Sequence, residues 1–330
     1  MTTTQTNTPA RILITGYTGF VGRYLVRACA EHYPQAELFG LSERAPEHPA
    51  RAGGSGMSAI HHLQINISDA EAMRHALDTS RPDIVFHLAA QASVAASWSD
   101  PATTLLVNAG GAVHLLEGLH AADMHDTRVL LIGSGEQYGV VRPEENPIAE
   151  SYPMRPVNPY AVAKAAQDLF GYQYFAAYGL PVIRVRPFNH FGPGQSPAFV
   201  IAGFAEQIAR IEAGAAERVM SVGNLKASRD FLVVDDVVRA YVALADFGHP
   251  GAAYNVGSGT PHSIEHILTT LLSLARVPIE VRVDRERFRP VDVPLAYADT
   301  TLLRDHTGWT PQHTLEDGLR ATLESYRKDH

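Results

Sequence analysis

Cysteine is nearly absent: Cys29 is the only one in 330 residues, so no intramolecular disulfide can form and no cysteine-rich spacing offers a zinc site. That scarcity fits a reducing, cytoplasmic compartment. Positive charge is also in deficit. Lys and Arg number 27 against 35 Asp and Glu, a formal net charge of -8 at pH 7, which opposes a phosphate backbone and sets nucleic acid aside as a partner. No apolar run reaches the roughly 18 residues that a membrane helix needs, so no membrane partner is expected. The start, MTTTQTNTPA, has neither a basic segment nor an apolar stretch, and reads as a disordered lead-in over residues 1–10. Histidine is plentiful, yet His61 and His62 occupy adjacent strand positions that point to opposite faces, and no metal is expected.

What is present is alternation. Short apolar runs at 12–15, 36–41, 60–65, 83–88, 128–132 and 181–186 read as strands, with helical spacing between them. Ser68-Asp69-Ala70-Glu71 has the spacing of a capping box, and Asp100-Pro101 opens a helical pattern to about residue 121. Near-continuous apolar strands that alternate with helices predict an α/β protein with a Rossmann-type doubly wound parallel sheet over 11–187. Beyond it, Pro187, Gly192, Pro193, Gly194 and Pro197 mark a boundary. Residues 188–330 then predict a smaller mixed α/β lobe, with segments such as 229–257 returning to the first unit. Residues 52–56 read as a surface loop, Trp98 and Trp309 as packing residues, and Asp235-Asp236 as a helix start.

Gly16, Gly19 and Gly22 in TGYTGFVG fall between the first strand and the first helix. Without side chains there, backbone N–H groups can approach a pyrophosphate at the positive helix end. At the end of the second strand, Ser42 and Arg44 can hold a 2′-phosphate, whereas an inward Glu43 would repel one; the balance leans to NADP(H) over NAD(H). Farther on, Asn158 and Pro159 open a helix that places Tyr160 and Lys164 one turn apart on the same face. A nearby ammonium is expected to lower the phenol pKa and make Tyr160 a usable acid or base.

The glycine spacing together with Tyr160-x-x-x-Lys164 resembles the extended short-chain dehydrogenase/reductases, and further landmarks carry the resemblance from about residue 11 to residue 309. It implies that Ser134 in GSGEQYG, Tyr160 and Lys164 handle a sugar hydroxyl or carbonyl beside a nicotinamide. Thr18, Phe20, Val21, Asn66, Ile67, Leu88, Ala89, Ala90 and Asn108 would serve the cofactor, along with the three glycines, Tyr160 and Lys164. The segment 186–195 resembles the substrate loop of nucleotide-sugar enzymes. Segments 223–226, 229–231 and 289–294 resemble those of GDP-sugar enzymes, which implies substrate roles for Gln91, Ser134, Glu136, Asn189, Val200, Asn224, Lys226, Arg229, Arg289 and Asp292. Arginines at these places suit a diphosphate.

The implied reaction is reduction of the C4 ketone of GDP-4-keto-6-deoxy-D-mannose to GDP-D-rhamnose. GDP-mannose 4,6-dehydration, with Glu136 as base, is the alternative, and 4-epimerisation is a third. Gly135 offers no side chain where related dehydratases place a polar partner, and FGPGQ after Asn189-His190 departs from their Glu-Ser-Pro-Arg-Arg-Gly run. A non-catalytic dinucleotide sensor is the reading from another class, and the complete Ser134, Tyr160 and Lys164 trio weighs against it. The resemblance also implies a homodimer through the helix near Ser99 and the helix bearing Tyr172, Tyr174, Phe175 and Tyr178.

Overall fold

The structure is a computed structural model that describes residues 9–44, 60–288 and 293–330. Most of the expected lead-in, the 52–56 loop, and the candidate ligands Arg289 and Asp292 lie outside the described residues.

Strands β1 (Arg11–Thr15), β2 (Glu37–Ser42), β3 (His61–Gln64), β4 (Ile84–His87), β5 (Arg128–Ile132) and β6 (Val182–Pro187) come first. The chain continues through β7 (Asn189–Phe191), β8 (Val219–Val222), β9 (Ser228–Val233), β10 (Ala253–Val256), β11 (Pro261–Ser263), β12 (Glu280–Val283) and β13 (Leu295–Ala296). A seven-stranded sheet runs β10-β6-β5-β4-β1-β2-β3 with every pair parallel. Its central strands are buried along almost their whole length, as a sheet covered on both faces requires. In such sheets the ligand crevice opens at the carboxyl ends where the strand order reverses, here between β1 and β4. Thr15 lies opposite both Leu41 and His87, so the residues just past these three meet at that point.

Helices α1 (Phe20–His32), α2 (Ala70–Ser80), α3 (Val94–Ser99), α4 (Pro101–Leu105), α5 (Gly111–Ala121) and α6 (Pro159–Tyr178) belong to this unit. The expected long helix after Asp100 is unbroken, but residues Leu106–Gly110 are wound as a π-helix between α4 and α5. Asp69, not Ser68, caps α2: its Oδ1 accepts from the Glu71 and Ala72 amides at 2.9 and 3.0 Å, so the expected capping box is not used.

The remaining helices are α7 (Val200–Glu212), α8 (Val234–Phe247), α9 (Ile264–Ser273), α10 (Thr301–Thr307) and α11 (Leu315–Asp329). One face of the large sheet packs Leu25, Cys29, Tyr241, Leu244, Leu303 and Trp309; the other packs Met73, Leu77, Leu115 and Leu116. The smaller lobe has its own core, with Phe204, Ile208, Met220, Leu268 and Leu323 around β7-β9 and β8-β12 pairings. Trp98 is 50% exposed, a surface residue and not the packing residue expected. Asp236 does more than open α8. Its buried carboxylate accepts from the Gln312 and His313 amides at 3.0 and 2.9 Å and fastens the chain ahead of α11.

Candidate active site

A cleft of about 1170 Å³ follows the carboxyl ends of the sheet and continues onto the smaller lobe. The glycine turn forms one end. Gly16 has φ +71°, and a Cβ there would come within 2.9 Å of Ala89 backbone; at Gly22 it would come within 2.4 Å of the Gly16 carbonyl. The turn therefore closes only with glycine at these two places. Among the described residues no side chain caps α1, which leaves its first amides to face the cleft. Thr18, Gly19, Phe20 and Val21 line the same wall. Ser42, Arg44, Asn66 and Ile67 line the far end, where the Glu43 carboxylate accepts from Asn66 Nδ2 at 3.4 Å and Ser42 Oγ donates to the Arg44 carbonyl at 2.6 Å.

The opposite wall is α6. Asn158 caps it by accepting from the Ala161 amide at 2.8 Å, and Pro159 takes the first helical position. Tyr160, Lys164 and Ser134 all line the cleft. Burial pushes the Tyr160 phenol up to about 12, while hydrogen bonding by Ser134 pulls it down and the Glu136 charge pushes it up. This reverses the expectation that Lys164 would depress it. Lys164 Nζ is turned toward the Ile132 carbonyl at 2.7 Å and Gln167 Oε1 at 3.0 Å, and burial lowers its own pKa to about 7. Tyr160 thus keeps its proton at neutral pH, the state a proton donor requires. Beside them Glu136 Oε2 accepts from Asn158 Nδ2 at 3.2 Å. A Cβ on Gly135 would meet the Phe188 ring at 3.1 Å, so the ring takes the space of a side chain there.

Leu88, Ala89, Ala90 and Gln91 line the cleft between these walls. Asn108, in the π-helical stretch, does not reach it. Its Oδ1 accepts from the Gln91 amide at 2.7 Å and its Nδ2 donates to the Gln91 carbonyl at 3.1 Å, so it clamps the segment from behind. Gln91 Oε1 is buried with no hydrogen-bond partner among the described residues, an acceptor that a ligand in the cleft could satisfy. On the smaller lobe Asn189, Val200, Asn224 and Arg229 line the cleft, whereas Lys226 is exposed and outside its lining.

Several contributors had no expectation attached. Gln137 Oε1 accepts from the Ser134 amide at 3.4 Å, and its Nε2 donates to Asp168 at 3.1 Å. Asp168 is gripped by Arg184 at 2.8 Å and by Arg186 at 2.9 Å, and this pairing holds its carboxyl below the usual range against the cost of burial. Asp168 continues the Tyr160-x-x-x-Lys164 spacing by one more turn, a visible signal. Tyr241 on α8 also lines the cleft; within an apolar helix it carries no sequence mark of that position.

A glycine cradle at the switch point of a parallel sheet, facing a Ser-Tyr-Lys wall, defines an enzyme of the extended short-chain dehydrogenase/reductase class. The chain belongs to the GDP-mannose 4,6 dehydratase family, whose model matches residues 13–322. It is 36% identical to the GDP-6-deoxy-D-mannose reductase of Pseudomonas aeruginosa over 317 residues, 96% of this chain and 97% of that one. It is 32% identical to a UDP-glucose 4-epimerase of Mycolicibacterium smegmatis, covering 96% and 98% of the two. Among solved structures, RMD from Pseudomonas aeruginosa complexed with NADPH superposes with a TM-score of 0.83 at 33% identity, covering 97% of this chain and all of that one. The UDP-glucose 4-epimerase of Thermotoga maritima with UDP-glucose gives 0.83 at 28% identity, covering 96% and 99%.

Proposed function

We propose that this enzyme is an NADPH-dependent reductase that converts GDP-4-keto-6-deoxy-D-mannose to GDP-D-rhamnose. The observation that carries the reading is a protonated Tyr160 beside Ser134, at the junction of a glycine cradle and a second lobe, in a cleft larger than one ordinary ligand needs. Likeness to a GDP-6-deoxy-D-mannose reductase along nearly the whole of both chains supports the substrate class.

In this reading the large-sheet unit holds the dinucleotide and the smaller lobe holds the nucleotide sugar. The Gly16–Gly22 turn and α1 amides take the pyrophosphate, and Ser42 and Arg44 take the 2′-phosphate. A bound NADPH supplies the hydride to C4. Ser134 hydrogen-bonds the C4 oxygen, Tyr160 protonates it, and Lys164 supplies positive charge to the same wall. Asn189, Asn224 and Arg229 face the diphosphate sugar. Gly135 supports reduction over dehydration, because the Phe188 ring stands where a polar partner beside Glu136 would project.

Two copies pair through α4 and α6 in this proposal, since Leu105, Leu106, Val162, Leu169 and Phe170 are large apolar side chains left exposed on adjoining elements. The buried, unpaired Cys29 supports a reducing cytoplasm. No helix among the described residues is long and apolar enough to cross a membrane.

The test follows nicotinamide absorbance with NADPH and GDP-4-keto-6-deoxy-D-mannose, with GDP-mannose in parallel. Oxidation with the ketone alone, and a GDP-D-rhamnose product by NMR, is expected. Conversion of GDP-mannose to the keto sugar without NADPH oxidation would replace the reading with dehydration.

A further inference from the structure

Lys164 is almost entirely buried, yet its ammonium is not aimed at Tyr160. It donates to two acceptors: the Ile132 carbonyl at 2.7 Å and Gln167 Oε1 at 3.0 Å. Gln167 is wholly buried on the next turn of α6, and its Nε2 donates to the same Ile132 carbonyl at 3.0 Å. The three bonds form a closed triangle, and it fixes the amide's orientation. Flipping the Gln167 side chain would set an NH₂ against the ammonium and an oxygen against the Ile132 oxygen. Ile132 ends β5, two residues before Ser134, so the triangle joins the lysine of one catalytic element to the backbone that leads into the other.

We propose that Gln167 is a positioning residue, which seats the Lys164 ammonium against the end of β5 and keeps it charged in a buried site. The inference rests on the reading of Lys164 as a cofactor-side cation. Burial acts against that charge and lowers the lysine's pKa to about 7. Acceptors that bond the ammonium more strongly than the neutral amine act in the opposite direction. Other groups near Lys164 do not take that part. His87, on β4, is held neutral by burial, with a pKa of about 3. Tyr160, on the same helix, is protonated, and the Glu136 carboxylate on the Gly135–Tyr138 turn acts on Tyr160 and is held by Asn158. Asp168, one turn beyond, is committed to Arg184 and Arg186 from β6, and Tyr241 from α8 stays protonated.

The experiment measures the NADPH dissociation constant of the full chain from pH 6 to 10 by fluorescence, without any sugar nucleotide. The parent, Gln167→Met and Gln167→Glu are compared, so titration of the cofactor's own phosphate cancels. If Lys164 must be charged to bind cofactor, affinity falls as pH rises through its pKa. Gln167→Met removes an acceptor and is expected to move that fall about one pH unit lower. Gln167→Glu places a carboxylate on the ammonium and is expected to move it higher by a similar amount. A merely structural role would weaken both variants without separating their profiles. Coincident profiles, or a shift of both in one direction, would overturn the proposal. Should Gln167→Met fail to fold, the upward shift in Gln167→Glu still decides. Failure of the parent to bind NADPH at any pH would instead remove the functional reading beneath it.

Discussion

Asn158 and Glu136 are joined by an Nδ2–Oε2 hydrogen bond of 3.2 Å, and the same Asn158 amide caps α6 through Oδ1. One neutral side chain therefore sets both the start of the helix that carries Tyr160 and the place of the carboxylate that acts on Tyr160. Asn158 bonds Glu136 as a neutral donor, and the Glu136 charge adds to burial in raising the Tyr160 pKa. A phenol that keeps its proton at neutral pH can give a proton but not take one, as the proposed reduction requires.

Tyr160→Phe keeps the ring and removes the proton. Turnover is expected to fall by about a hundred- to ten-thousandfold while the NADPH dissociation constant stays within a few fold. Steady-state kinetics and a cofactor titration check it, and near-normal turnover would take the acid role from Tyr160.

Lys164→Met bears on stability. Burial lowers the folded-state pKa of Lys164 to about 7, below its ordinary value of 10.5, so the unfolded chain binds more protons between those limits. The cost of burying the charge is fully present below about 7 and is relieved as pH rises toward the unfolded value. The melting temperature of Lys164→Met relative to the parent should thus be most favourable near pH 7 and decline toward pH 10. Melting curves at pH 6.5 and 9.5 decide it; a difference that grows with pH would contradict the burial of a charged lysine.

Arg44→Ala addresses the choice of cofactor. Arg44 lines the end of the cleft with Ser42, where Glu43 is drawn to Asn66. The KM for NADPH is expected to rise about tenfold and that for NADH to change little. Equal changes for the two cofactors would place the 2′-phosphate elsewhere.

Leu169→Glu tests the pairing of copies. Leu169 is 58% exposed on α6, so a charge costs the single chain little, whereas a buried interface would reject it. Sedimentation should show a dimer for the parent and a monomer for the variant. A parent that sediments as a monomer would dismiss the pairing.

The strands were legible in the sequence because burial on both faces of a parallel sheet writes them as apolar runs, and β5 matches its expected bounds residue for residue. Local chemistry that depends on one rotamer was less legible. Asp69 outcompetes Ser68 for the cap of α2 because its carboxylate reaches two amides at once. The direction of the Tyr160 shift follows from burial of the phenol, and the Lys164 ammonium is bonded instead to Ile132 and Gln167, neither of which stands out as chemistry in the sequence. Tyr241 reaches the cleft across the sheet, a relation between α8 and α6 that no local spacing records.

The chain's path between lobes has its own consequence. After the smaller lobe's β11, α9 and β13, it returns to the large sheet with α10 and Trp309, is fastened by Asp236, and crosses back so that α11 completes the smaller core. Neither lobe is a contiguous piece of polypeptide. A protease cut in the exposed stretch between Trp309 and Leu315 would release a helix from one core while Trp309 stays in the other. Truncation ahead of α11 would take Leu319 and Leu323 out of the smaller core, where α11 packs against α7 and α9.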